Sequence, residues 1–78
     1  MKAIARVIFK IHRLIYKYPC KSEVRLGLDN YLHFGGLTYF VGMMYICNES
    51  LDDIARSLCL DREQVKFCLN KIAKEASL

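Results

Sequence analysis

No stretch of this 78-residue chain approaches the ~18 charge-free apolar residues of a membrane span. A secretory core is also missing, because Arg6, Lys10 and Arg13 interrupt the early apolar run. No two of the four cysteines, Cys20, Cys47, Cys59 and Cys68, form a C-x-x-C pair. Their gaps to one another and to His33 lack the close ligand pairs of a structural zinc site, and His12 supplies none, so no metal is expected. Gly35-Gly36 has neither the spacing nor the lysine of a phosphate loop. No Ser/His/Asp or Cys/His arrangement is recognisable, and the carboxylates sit where helices would start, which capping explains. These absences exclude the common enzyme and cofactor classes. They leave a cytoplasmic protein with reduced thiols used as small apolar core residues.

Apolar residues make up 54% of the chain and charged residues 26%, with no low-complexity tract or internal repeat, so the sequence is expected to fold rather than stay disordered. One domain is all this length allows, and a domain this small is marginally stable. Either the apolar surface enters one helical core, or part of it awaits a partner such as a second copy.

The net charge of +4 is unevenly placed. Residues 1–25 hold seven Lys/Arg and one acid, Glu23, a net +6. Residues 26–50 hold Asp29 and Glu49, a net −2, and residues 51–78 balance five acids against five bases. The first segment therefore carries the whole excess, which suits an anionic partner, nucleic acid or membrane surface.

The spacing predicts a helix over residues 2–18, with Ile4, Ile8, Ile11 and Ile15 on one face beside Val7 and Leu14. Lys2, Arg6, Lys10, Arg13 and Lys17 fall on the opposite face, and Pro19 ends the helix. Two readings stand: a core helix with a solvated basic face, or a helix that lays five cations along a phosphate backbone. Residues 20–36 suggest a short helix interrupted at Gly27, with a break at Gly35-Gly36. Residues 37–47, almost wholly apolar, are long for a strand and read as a central helix. The aromatics Tyr16, Tyr18, Tyr31, Phe34, Tyr39, Phe40 and Tyr45 are mostly expected in the core.

The C-terminal third has the clearest punctuation. Ser50 caps a helix over residues 51–58, with Asp53 in capping-box register and a stripe of Leu51, Ile54, Ala55 and Leu58. After a turn at Cys59-Leu60, Asp61 and Gln64 form a second cap. Val65, Cys68, Leu69, Ile72, Ala73 and Ala76 continue an apolar face. Two short helices joined by a tight turn, each with its own cap, make the unit of a helix-turn-helix. Ala55 marks the closest approach, and Ile54, Leu58, Leu60, Val65 and Leu69 set the angle.

The segment SLDDIARSLCLDREQVKFCLNKIAKEASL resembles the helix-turn-helix superfamily of bacterial and phage regulators, in particular the LuxR-type output domain and region 4 of sigma factors. The match lies at Ile54-Ala55, Leu58, Leu60, Val65 and Leu69. The resemblance implies a small DNA-binding domain of three or four helices whose recognition helix spans 62–75. Cys59 stands where many relatives have Gly, so a left-handed residue there would cost roughly 1–2 kcal/mol.

The expected fold is all-α, with four or five helices, a C-terminal helix-turn-helix and no wing. The expected function is DNA-binding transcription regulation, with double-stranded DNA as partner. Arg62, Gln64, Lys66, Glu63 and Phe67 are the candidates for reading bases. Arg56, Asn70, Lys71 and Lys74, with Lys2, Arg6, Lys10, Arg13 and Lys17, are the candidates for phosphate. A homodimer is expected, because one short helix reads few base pairs, and residues 37–47 or the first helix are candidate interfaces. The rival reading is a protein-interaction module that binds RNA polymerase or another regulator, with the motif as scaffold. A third lays the first helix on an anionic membrane.

Overall fold

A computed structural model describes residues 2–30 and 36–76, and these form an all-α domain with no strand among them. Five helices run in order: α1 (Lys2–Tyr16), α2 (Lys21–Asn30), α3 (Gly36–Ile46), α4 (Leu51–Leu58) and α5 (Arg62–Ala73). A 3-10 turn, Lys74–Ala76, closes the described chain. Tyr31, His33, Phe34 and Gly35 lie outside the described residues, as does the side chain of Lys2.

The helix boundaries follow from local chemistry. Before α4, Ser50 is extended and its hydroxyl accepts from the Asp53 N–H at 3.1 Å. Before α5, Asp61 and Gln64 form a reciprocal capping box: Asp61 Oδ1 accepts from the Gln64 N–H at 2.8 Å, and Gln64 Oε1 accepts from the Asp61 N–H at 2.9 Å. Four otherwise orphaned amides lie at each helix start, so these bonds offset part of a fixed cost. Cys59 ends α4 in the left-handed region (φ 57°), with the Leu60 N–H donating to the Ala55 carbonyl. The turn therefore takes a left-handed conformation at a non-glycine residue, at the steric cost of a Cβ.

The core lies between α2, α3, α4 and α5. Val24, Val41, Ile54, Val65, Leu69 and Ile72 have no exposed surface. Ala55 is buried, and Leu58 and Leu60 pack partly against the same cluster. Gly27 does not interrupt α2, as the sequence suggests it should. It is the point where α2 meets α5, and a Cβ there would collide with the Ile72 carbonyl. A Cβ on Gly42 of α3 would meet Ile72 Cδ1 at 2.7 Å, so two glycines let three helices close on one isoleucine. Asn30 fastens the end of α2 to the final turn, donating to the Glu75 and Ala76 carbonyls at 3.1 and 2.9 Å.

The described helices correct several expectations. α1 ends at Tyr16 rather than residue 18, because Lys17 adopts φ 67° and turns the chain before Pro19 does. The last helix gives way at Lys74 to a 3-10 turn instead of running to 75. Cysteine is not a general core residue here: Cys68 is buried, Cys20 half-buried, and Cys47 and Cys59 are exposed. Cys47 and Cys59 lie in the segments that follow α3 and α4, outside the packed helix faces. Of the described aromatics assigned to the core, Tyr45 is buried and Tyr18 half-buried, while Tyr16, Tyr39 and Phe40 are exposed.

The largest correction concerns α1. Its aliphatic stripe does not enter the core. Ile4, Val7, Ile8, Ile11, Leu14 and Ile15 are all at least half exposed, and Phe9 is its one described buried residue. α1 instead meets the body along a different strip. Phe9 inserts, Arg13 Nε pairs with Glu23 Oε1 at 3.4 Å, and His12 Nδ1 donates to the Tyr18 carbonyl at 2.9 Å. A carbonyl can only accept, which places the ring proton on Nδ1. The His12, Tyr16 and Tyr18 rings meet one another at tilted and edge-on angles, and Tyr18 meets Tyr45 edge-on; the Tyr45 hydroxyl donates to the Pro19 carbonyl at 2.8 Å.

Candidate nucleic-acid interface

α4, the residues 59–61 and α5 are held by Ile54, Val65 and Leu69, and this fixes which side of α5 faces outward. At 100° per residue, Val65, Cys68, Leu69 and Ile72 turn inward together, and Glu63, Phe67, Asn70, Lys71 and Lys74 form the opposite face. Glu63, Phe67, Lys71 and Lys74 are exposed and Asn70 is half-buried.

The candidate base readers do not all lie free on that face. Arg62 Nη1 pairs with Asp52 Oδ1 at 2.9 Å, tying the start of α5 to the start of α4. Lys66 Nζ reaches back to Glu63 Oε1 at 3.3 Å, with its side chain lying low against the helix. Gln64 is committed to the capping box. Arg56, a phosphate candidate, pairs with Asp53 Oδ1 at 3.4 Å. Each of these ion pairs has at least one well-exposed partner and is worth at most about 1 kcal/mol, so a stronger anionic partner can displace them. Phe67 has no such tie. It is 70% exposed in the middle of the outward face.

Four of the remaining phosphate candidates lie beside the other end of α5. Arg6, Lys10 and Arg13 of α1 line a groove of about 440 Å³ together with Phe9, Glu23, Ala73, Lys74 and Ala76. Four cations from opposite ends of the sequence therefore converge beside the last turn of α5. Lys17 lies exposed just past the end of α1, and Lys71 is on the adjoining outward face of α5.

Glu23 is the residue that sequence reasoning missed. It is 4% exposed at the groove floor, and its Oε1 accepts no hydrogen bond, Arg13 being an ion-pair partner only. Burial pushes its carboxyl above the usual glutamate range, against the opposing pull of Arg13 and His12. A signal was present in the chain: Glu23 is the single acid among the first 25 residues. It pairs with one of the groove's cations, Arg13.

Among the described residues, no group of three or more His, Cys, Asp or Glu is placed to hold a metal ion. No described helix is long and apolar enough to cross a membrane. No family model matches this chain, and comparison with curated proteins and with solved structures finds no match. The functional reading therefore rests on the residues and their arrangement.

Proposed function

We propose that this protein is a cytoplasmic, DNA-binding regulator of transcription that acts as a homodimer. In this reading α5 enters the major groove of duplex DNA and the basic side of α1 lies along the phosphate backbone. The supporting observation is the groove in which Arg6, Lys10 and Arg13 meet Lys74. The helix-turn-helix segment has no net charge of its own, and affinity for DNA comes mainly from neutralised phosphates. The groove joins the chain's basic excess to the end of the proposed recognition helix.

Base reading then shifts along α5. Gln64 is occupied as a cap, so Glu63, Phe67 and Asn70 take the outward role. Arg62 and Lys66 exchange their weak ion pairs for DNA. A second copy supplies the second half-site, and the exposed side of α3 at Leu37, Tyr39 and Phe40 is the surface this reading assigns to it.

A second reading has one observation in its favour. An aromatic side chain as exposed as Phe67 is a common anchor of protein interfaces. The motif would then be a scaffold that binds RNA polymerase or another regulator. Fluorescence anisotropy with a labelled duplex of random sequence separates the two. The DNA reading expects binding at low salt, with Lys10→Ala and Lys74→Ala weakening it on every sequence. Absence of binding to duplex at low salt would overturn it.

A further inference from the structure

The aliphatic stripe of α1 plays no part in the reading above. It consists of Ile4, Val7, Ile8, Ile11, Leu14 and Ile15, each between 50% and 65% exposed. The stripe runs the length of a 15-residue helix, about 22 Å. Its residues recur at helical spacing and point away from Phe9 and Arg13, the side chains that fix α1 to the body. The stripe can therefore be covered without any rearrangement of the core. A continuous apolar surface of this kind is uncommon on a monomer and marks a contact site.

Charge decides what covers it. α1 contains no acidic residue, and Lys10 stands one helical turn from both Val7 and Leu14 at the edge of the stripe. Against a second copy, such a helix brings cations together with no carboxylate on α1 to pair them. An anionic lipid surface suits both features: acyl chains accept the stripe and headgroups accept Lys10 at its edge. We propose that α1 lies flat on anionic membranes, with its aliphatic stripe in the acyl boundary and Lys10 at the headgroups. The proposal does not depend on DNA binding.

Co-sedimentation of the full chain with vesicles tests this. One set contains equal parts of phosphatidylglycerol and phosphatidylcholine, and the other contains phosphatidylcholine alone. The expected result is binding to the anionic vesicles and at least about tenfold weaker binding to the neutral ones. Ile11→Asp should lower anionic binding by at least about tenfold, and Lys10→Ala by about fivefold, with circular dichroism and melting unchanged. Three results would overturn the proposal. One is no binding to anionic vesicles at low salt. Another is binding that Ile11→Asp leaves unaltered, which would mean simple electrostatic adsorption. The last is a concentration-dependent dimer in sedimentation velocity that Ile11→Asp abolishes, which would make a second copy the occupant.

Discussion

α1 and the α4–α5 unit reach the same outward regularity by different means. α4 and α5 have capped starts, a left-handed exit at Cys59, and apolar faces that close on Ile54, Val65 and Leu69. α1 has a sharply divided wheel, with aliphatic residues on one side and cations on the other, yet it buries Phe9 and leaves six aliphatic residues exposed. Periodicity reveals that a helix has an apolar face. It does not reveal what covers that face. In α4–α5 the cover is the rest of the chain, whereas the described residues leave the α1 face open.

The largest expected effect comes from the same kind of substitution in both regions. Leu69→Ala empties a fully buried site and should cost about 3–4 kcal/mol in urea unfolding. Ile11→Ala, on the exposed stripe, should stay within about 0.5 kcal/mol. Equal losses would erase the distinction between the two regions. Next comes Gly27→Ala, which places a methyl against the Ile72 carbonyl and should cost about 2–3 kcal/mol by forcing α2 from α5.

Asp61→Ala removes one half of the capping box before α5 and should cost about 1 kcal/mol. The smallest effect is one of pH. The buried Glu23 carboxyl titrates above its ordinary value in the fold, so the fold favours the protonated form. The stability this contributes is complete below the ordinary glutamate pKa and is lost as pH rises through the raised value. A series of melts should therefore show stability falling across that window, and Glu23→Gln should flatten the profile.

Much of this architecture was legible in the chain. The starts of α4 and α5 follow from Ser50, Asp61 and Gln64, because capping is a local interaction. The aliphatic and basic sides of α1 follow from spacing alone. What could not be read was tertiary. Gly27 looks like a helix breaker until Ile72 is seen against it. The pairing of Arg62 with Asp52 spans the turn and takes one proposed reader partly out of use, whereas the pairing of Lys66 with Glu63 is a local contact one helical turn apart. The convergence of Arg6, Lys10 and Arg13 on Lys74 joins residues some sixty positions apart. It sets three of the first segment's seven cations beside the end of α5.

That convergence is the basis of the functional reading, and the salt dependence of duplex binding tests it most directly. Affinity for a random-sequence duplex should be measured across a salt series for the native chain and for a Lys10→Ala/Lys74→Ala double variant. If the groove neutralises phosphate, the native chain gives a steep linear dependence of log affinity on log salt. The double variant should lower the slope by about 2, one for each lost contact. Slopes that are the same for both proteins, or no duplex binding at low salt, would contradict the account.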